Sequence, residues 1–403
     1  MAKWLEKTLG EVTAFIAKGI PPKYTEEENE NTIRVLNQKC NRNFGISYNE
    51  SRIHDCEKKK VPVDKMLRSG DVLINSTGTG TAGRVAQLVE VTVPTTIDGH
   101  MILMRPSEEL DPIYYGYAVK SFQSQIAGLA EGSTGQTEIN RRRLQNEVII
   151  RYPSDKLVQK NIGSFLANID EKIKTNKEIN KNLELQAMAI FNNAIEQSKS
   201  VTYVELGSLA DVKGGKRLPK GANLMSIPNS HPYIRVRDLN DVVFASLSAN
   251  YEYVDDKTQK TISRYITTTD DVLISIVGTI GLTAIVDKSL NMANLTENCV
   301  KVTNLHGISP EYLLLYLRSQ HGSKEIRKGT VGAVQAKLPI KNIQALSVPL
   351  LPQSDLQSLN DTLKVLFNQL SINVAESTCL TDIRDSLLPK LMSGELDISN
   401  LDL

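Results

Sequence analysis

A glycine-rich segment, Gly78-Thr-Gly-Thr-Ala-Gly83, has the GxGxxG spacing with which many enzymes bind the pyrophosphate of a dinucleotide. That chemistry needs a helix directly after the glycines, because the helix N-terminus faces the phosphates. Residues 84–93 have instead the pattern of a strand, and the related Gly278-Thr-Ile-Gly281 lacks the spacing. A tight turn between strands is the favoured interpretation, and a nucleotide-binding enzyme that uses these turns stays open as an alternative.

Other patterns that carry catalysis are absent from the sequence. The 5 histidines and 4 cysteines show no HExxH or CxxC spacing, so neither a metal site nor a disulfide framework is predicted. The phosphate-binding pattern GxxxxGK followed by Ser or Thr is missing, as is the Asn/Asp-Pro-Pro-aromatic motif of amino-methyltransferases. We therefore expect no catalytic residue, no metal and no cofactor in this chain.

Residues suited to DNA contacts are plentiful by comparison. Lysine and arginine neutralise phosphates, hydroxyl groups donate to phosphates or bases, and Arg or Gln matches a guanine or adenine edge. The net charge is only +1, so such binding has to come from local clusters and flexible loops such as 132–140 and 329–337. The candidates in the first half are Lys18, Lys23, Arg34, Ser76, Thr77, Thr79, Arg84, Thr134, Gln136, Arg141 and Arg142. The candidates in the second half are Lys216, Lys220, Arg217, Arg235, Arg237, Thr279, Arg327, Lys328, Thr330, Gln335 and Lys337.

Each candidate cluster has a plainer interpretation as a solvated face, and each loop as a surface turn. Arg34, Arg235 and Arg237 are predicted to lie on strands, from which a guanidinium fork can grip a guanine. Similar clusters recur at similar places in the two halves, and this recurrence favours a nucleic-acid surface over scattered surface charge.

The sequence repeats itself after roughly 200 residues, which indicates a duplicated fold. Gly70-Asp-Val-Leu-Ile74 returns as Asp270-Asp-Val-Leu-Ile274, and Gly78-Thr79 returns as Gly278-Thr279. Short apolar runs rich in β-branched residues, separated by Gly, Asn and Asp, predict strands in each copy, with a short helix that begins at a proline. Each copy is thus predicted to be a mixed α/β unit.

A long amphipathic helix is predicted after each unit, with apolar residues at steps of four and three over four to five heptads. This pattern is typical of a coiled coil, and the two helices are predicted to pair antiparallel with each other, so that Asn176 and Asn373 help to fix the register. A helix over 160–194 would be roughly 50 Å long at about 1.5 Å per residue. The predicted seam consists of Ile162, Leu166, Ile169, Ile173, Asn176 and Leu183 from the first helix and Leu359, Leu363, Leu366, Leu370, Asn373 and Leu380 from the second.

The order of these parts predicts five segments. Residues 1–153 and 200–352 form the α/β units, 154–199 and 353–394 form the long helices, and 395–403 form a tail. No apolar run is long enough to span a membrane and no secretory signal opens the sequence, so a cytoplasmic protein is expected.

This arrangement resembles the specificity subunit of type I restriction-modification systems over essentially the whole chain. Particular phrases add to the resemblance: Gly70-Asp-Val-Leu-Ile74, Leu183-Glu-Leu-Gln-Ala187 with Ala189-Ile-Phe191, and Leu387-Leu-Pro-Lys-Leu-Met-Ser-Gly-Glu395. The resemblance implies two homologous target recognition domains related by a pseudo-twofold repeat and joined by the antiparallel coiled coil. Each domain would read one half of a bipartite double-stranded DNA site through the major groove.

The same resemblance implies the partners. The paired helices would fix the unread gap, in keeping with major-groove segments about 34 Å apart, and would dock two methyltransferase subunits. Restriction and translocase subunits would join the complex, and S-adenosylmethionine, ATP and Mg would act only in the partner subunits. A coiled-coil protein that merely joins other proteins is a further alternative, and it would show no dependence on DNA sequence.

Overall fold

The computed structural model describes residues 3–132, 137–248, 251–332 and 335–396. The chain divides into two compact units, of which the first comprises Met1–Ile173 with Cys379–Leu403 and the second comprises Lys174–Thr378. Long helix 1, Lys156–Gln197, and long helix 2, Gln353–Ser393, each contribute a segment to both units.

The first unit is built on a sheet with the strand order Thr13–Lys18, Met101–Pro106, Val72–Asn75, Val85–Gln87, in which all neighbours run antiparallel. A second sheet has the order Thr95–Ile97, Thr32–Leu36, Arg52–Asp55, Tyr24–Thr25, and its first pair runs parallel. Smaller strand pairs are Trp4–Thr8 with Ile149–Pro153, Asn41–Arg42 with Gly45–Ile46, and Ala130–Glu131 with Glu138–Ile139. Its helical elements are Val63–Lys65, Pro112–Ser121, Gln123–Ala127 and Arg141–Glu147.

The second unit has a sheet with the order Asp211–Gly214, Cys299–Thr303, Val272–Ser275, Thr283–Val286, Phe244–Ala245, of which the last strand is parallel to its neighbour. Smaller pairs are Thr202–Glu205 with Ser347–Leu350 and Tyr233–Ile234 with Asn294–Leu295. Its helical elements are Leu206–Leu209, Val236–Leu239, Asp256–Ile262, Ser263–Tyr265, Lys288–Leu290, Pro310–Arg318, Gln320–Gly329 and Ile340–Gln344.

The duplication predicted from the sequence is confirmed within the two units, down to single contacts. Buried Tyr114 donates its hydroxyl to the carbonyl oxygen of Arg151, and buried Tyr312 does the same to Pro349. Gly19 has no room for a side chain, because a Cβ there would lie 2.1 Å from the carbonyl oxygen of Asp98. Gly215 is equally confined by the backbone of the second unit. The two units therefore have the same local backbone arrangement at these positions.

An ion pair buried between strands is also present in both units. Arg105 donates Nε and Nη2 to the two carboxylate oxygens of Asp71, at 2.7 and 3.0 Å. Its remaining donors reach the carbonyl oxygens of Asp64 and Met66, so the guanidinium joins three segments of backbone. In the second unit Lys301 lies 3.1 Å from Asp271, a carboxylate that is also nearly fully buried. In each unit a basic side chain neutralises the buried carboxylate, which also accepts a backbone amide hydrogen bond, from Arg68 or Thr268.

The long helices pair antiparallel within each unit, as predicted. In the first unit the apolar side chains of Leu166 and Leu391 are fully buried in one core, next to an ion pair between Asp170 and Arg384. In the second unit the polar layer is formed by side-chain hydrogen bonds from Asn176 to Glu376 and Ser377, and from Asn373 to Asn180. Because buried amides need partners, these bonds favour a single register.

The predicted seam residues lie on the inner faces of these helices to different degrees. The buried members are Ile162, Leu166, Ile169, Ile173, Asn176, Leu359, Leu363, Leu370 and Asn373. Leu183, Leu366 and Leu380 are half-buried. Phe367, which the heptad pattern did not include, is 2% exposed and packs edge-on against Phe244.

Candidate nucleic-acid interface

The glycine turn of the first unit follows the strand Val72–Asn75 and leads back into the strand Val85–Gln87. It is therefore a turn between antiparallel strands, as the sequence indicated, and no helix begins at its glycines. Of the hydroxyl groups predicted to meet DNA here, that of Thr79 is exposed. Thr77 Oγ1 lies 2.9 Å from His100 Nδ1, and Ser76 is fully buried, so its hydroxyl does not reach the surface in this conformation.

Residues 138 and 139, at the end of the predicted loop 132–140, lie against this turn. The backbone amide of Ile139 donates to the Ser76 carbonyl oxygen at 2.8 Å, and Glu138 forms an ion pair with Lys18. A cavity of about 300 Å³ is lined here by Lys18, Glu131, Glu138, Ile139, Asn140 and Arg141. The turn, the end of the strand Thr13–Lys18 and the start of the helix Arg141–Glu147 therefore lie close together, which brings the predicted contacts Lys18 and Arg141 to one place. The predicted contacts Thr134 and Gln136 lie outside the described residues.

In the second unit, too, the loop before a helix lies against the turn between two strands, but the side chains differ. Lys337 pairs in the backbone with both Val277 and Val331, so its loop lies beside the turn that carries Thr279. The side chains of Thr279, Gln335 and Lys337 are exposed there. Thr330 instead donates its hydroxyl to the carbonyl oxygen of Ile326, which ties it to the end of its own helix. Candidate contacts in the two units therefore fall on corresponding turns.

Several of the predicted basic residues are held by carboxylates. The ion pairs join Arg34 to Glu28 at 2.6 Å, Arg217 to Glu297 at 2.8 Å, Lys328 to Glu325 at 2.9 Å, and both Arg235 and Arg237 to Glu252. A basic side chain that is already paired has to leave its carboxylate before it can touch a phosphate. These arginines and lysines are thus weaker candidates for non-specific binding than unpaired ones.

Other predicted basic residues have no such partner among the parts of the chain that the structure describes. This group consists of Lys23, Arg84, Arg141, Arg142, Lys216, Lys220, Arg327 and Lys337. All of them except Arg84, which is half-buried, are exposed. Lys216 lies over the ring of Tyr265, with its Nζ 5.4 Å from the ring centre. These residues are free to approach a phosphate without breaking an internal ion pair.

The placement of Arg235 and Arg237 on strands is wrong. The strand ends at Ile234, and Arg237 lies in the short helical turn Val236–Leu239. The cause is Asp238, whose carboxylate accepts a hydrogen bond from the Arg235 amide at 2.8 Å and so closes the turn. Only Arg34 of the three lies on a strand, Thr32–Leu36.

A buried carboxylate at this surface makes the stability of the first unit depend on pH. Asp98 is 4% exposed, and burial raises the pKa of its carboxyl group above the usual range. Because the pKa is raised in the folded state, folding favours the protonated carboxyl group of Asp98. The stabilisation from this protonated group is complete below the unfolded pKa and is lost as pH rises through the folded pKa.

We accordingly expect Asp98→Asn to raise the denaturant midpoint of the first unit at pH 7, and this gain to shrink as pH falls towards 4. Fluorescence of Trp4, the sole tryptophan, reports unfolding of this unit. Asp64→Asn, on an exposed side chain, makes the same charge change as a control. A midpoint gain that stayed equal at every pH would contradict the assigned role of Asp98.

Two basic residues, Arg42 and Lys120, were not among the predicted contacts, although Arg84 beside them was. Arg42, Arg84 and Lys120 line a cavity of about 540 Å³ in the first unit, together with Asn41 and Phe44. The three basic residues come from well-separated segments, so no local spacing indicated that they share a cavity. Among the described residues, no group of three His, Cys, Asp or Glu side chains is close enough to hold a metal ion, and no helix is long and apolar enough to cross a membrane.

Comparison with known proteins identifies the duplicated unit. A family model described as the type I restriction modification DNA specificity domain matches residues 1–185 and again residues 198–378. The chain belongs to this type I specificity family. Both copies of the family domain contain one glycine turn and one long-helix segment, so the internal repeat is a repeat of the whole domain.

Relatives of this type I specificity protein include the type I restriction enzyme MjaIX specificity subunit of Methanocaldococcus jannaschii. It is 24% identical over 312 residues, which cover 72% of this chain and 69% of that protein. The crystal structure of a type I restriction-modification S subunit from M. genitalium has a TM-score of 0.57 at 17% identity, with 97% of this chain and 96% of that one covered. This likeness shows a shared fold over nearly the full length. As a type I specificity subunit, the protein serves DNA sequence recognition.

Proposed function

We propose that each unit reads one half of a bipartite DNA site through the major groove, and that the chain itself performs no catalysis. The observation that carries this proposal is the duplication: two copies of one fold present corresponding exposed turns, at Thr79 and Thr279. A bipartite site needs two readers of similar build with different surface side chains. The turns meet that requirement, since both join corresponding antiparallel strands while their lengths and neighbouring residues differ.

The paired long helices would hold the readers at a set separation and dock two methyltransferase subunits, with restriction and translocase subunits joining that assembly. S-adenosylmethionine, ATP and Mg would act in those partner subunits, in the cytoplasm. The antiparallel seam and its polar layer support the role as a spacer, because a fixed register gives a fixed length.

The test is the methylation pattern of DNA treated with the complex of this chain and its modification subunits. Sequencing that detects methylated bases should return two short specified blocks separated by an unread gap of constant length. Methylation without sequence preference would contradict the proposal and favour a simple scaffold. A single uninterrupted recognition block would contradict the assignment of one half-site to each unit.

A matched pair of substitutions assigns the blocks to the units. Thr79→Ala and Thr279→Ala remove one exposed hydroxyl from equivalent turns, and neither change removes a buried group. We expect Thr79→Ala to relax discrimination in one block by about 10-fold, as a lost base contact of 1–3 kcal/mol implies, and Thr279→Ala to do so in the other block. Each variant is the control for the other. Relaxation of the same block by both variants would overturn the assignment.

A further inference from the structure

The cavity of about 540 Å³ in the first unit is strongly basic. Three cationic side chains, those of Arg42, Arg84 and Lys120, line it, and no carboxylate is among the lining residues. Arg42 is exposed at the rim, and Lys120 is half-buried, with its Nζ 2.9 Å from Gln123 Oε1. The volume lies in the range typical of small-molecule sites.

The second unit fills the equivalent place with its own side chain. Lys120 and Arg318 occupy the same position near the end of the helices Pro112–Ser121 and Pro310–Arg318. The Arg318 guanidinium donates to the carbonyl oxygens of Val242 and Thr283, and to the Thr283 hydroxyl at 3.1 Å. The neighbouring backbone is equivalent, since Gln87 N donates to Phe44 O in the first unit and Ile285 N donates to Val243 O in the second.

Asn41 adds an unused acceptor to the cavity of the first unit. Its side chain is fully buried, and its Nδ2 donates to the Arg84 carbonyl oxygen at 2.9 Å and to Asn75 Oδ1 at 3.2 Å. Its Oδ1 has no hydrogen-bond partner among the described residues. An orphaned buried acceptor costs free energy unless something donates to it. The atom is covered in this conformation, so a ligand N–H or O–H group reaches it once the surrounding side chains shift.

An aromatic ring completes the set. Phe44 has a left-handed backbone, with φ of 62°, and its neighbour Asn43 has φ of 53°. This unusual turn places the Phe44 ring beside the cavity, 5.8 Å from Lys120 Nζ and against Tyr117. Aromatic rings and guanidinium planes are the surfaces on which nucleobases stack.

We propose that this cavity binds a nucleotide whose base carries an amino group. The cations of Arg42, Arg84 and Lys120 hold the phosphate, the base lies near Phe44, and its amino group donates to Asn41 Oδ1. At the equivalent place in the described part of the second unit, the Arg318 guanidinium binds the carbonyl oxygens of Val242 and Thr283 instead. The nucleotide comes from one of two sources: a free mononucleotide, or a nucleotide turned out of duplex DNA. Binding from the first source does not depend on the proposed function, whereas the second source rests on it.

The free source is tested by calorimetry of the full chain with adenosine 5′-monophosphate. We expect one site with a dissociation constant below about 1 mM, and at least 10-fold weaker binding of purine riboside 5′-monophosphate, which lacks the amino group. Lys120→Arg introduces the side chain that fills the second unit, and Lys120→Met removes the cation. Both should weaken binding at least 10-fold, whereas the matched Arg318→Lys should not. Trp4 fluorescence checks that the Lys120 variants are folded, and hydrogen exchange of peptides from the second unit checks Arg318→Lys.

The DNA source is tested with the complete complex on duplexes that carry 2-aminopurine in place of one adenine at a time across the recognised site. A rise of fluorescence at one position, lost in Lys120→Arg, supports an unstacked nucleotide in the cavity even where the free nucleotide does not bind. Absence of both signals would overturn the proposal, as would nucleotide binding that is unaffected by both Lys120 variants. Sequence-specific methylation is scored separately, so failure of the cavity and failure of DNA reading are distinguishable.

Discussion

Arg105→Ala is expected to destabilise the first unit by about 3–5 kcal/mol, the usual cost of leaving a buried charge without its partner. Asp71 is 2% exposed and accepts both of its ion-pair hydrogen bonds from Arg105. The substitution also removes the donors to the carbonyl oxygens of Asp64 and Met66. Denaturant unfolding followed by Trp4 fluorescence measures the change, because this residue lies in the same unit.

Two companion variants make this result specific. Lys301→Ala breaks the equivalent pair of the second unit, and it should leave the Trp4 transition in place while it lowers the stability of the second unit. Arg105→Met combined with Asp71→Asn removes both charges, and it should recover part of the loss. A Trp4 midpoint that Arg105→Ala moved no further than a typical surface substitution, within about 0.5 kcal/mol, would show that the pair does not support the unit.

Phe367→Ala is expected to cost the second unit about 3–5 kcal/mol, whereas Leu366→Ala should cost distinctly less. Loss of a large buried aromatic side chain leaves a cavity, and the penalty grows with the volume left unfilled. Phe367 is buried against Phe244, while the neighbouring Leu366 is half-buried. Hydrogen exchange of peptides from the second unit measures the two effects separately from the first unit. Equal penalties, or a larger penalty at Leu366, would show that Leu366 belongs to the buried seam as the heptads predicted and that Phe367 does not replace it.

This difference shows where the heptad pattern ceases to be informative. Spacing by itself predicts which helix face is apolar, and it identified both long helices and their polar layer. It does not reveal that the α/β body supplies Phe244, against which the ring of Phe367 packs. A contact between a helix and a distant segment depends on tertiary structure that the local pattern does not contain.

The repeat was visible in the sequence because the residues that build the turns are restricted by backbone geometry. Gly70 and Asp270 both have a left-handed backbone, with φ of 88° and 70°. Each lies two residues before one of the corresponding strands Val72–Asn75 and Val272–Ser275. The misplaced Arg235 illustrates the opposite case, since a single carboxylate, that of Asp238, ended the strand early. The basic cavity was not predicted for a third reason: its cations, Arg42, Arg84 and Lys120, are far apart along the chain.

The candidate surface also indicates how DNA affinity would respond to ionic strength. Each phosphate contact normally lowers the logarithm of the binding constant by about 0.9 per tenfold increase in salt. A guanidinium such as that of Arg217 has to leave Glu297 first, and salt weakens that internal attraction as well. The carboxylates thus act as built-in counterions. We therefore expect the measured salt slope to count fewer contacts than the number of basic side chains that touch the DNA backbone.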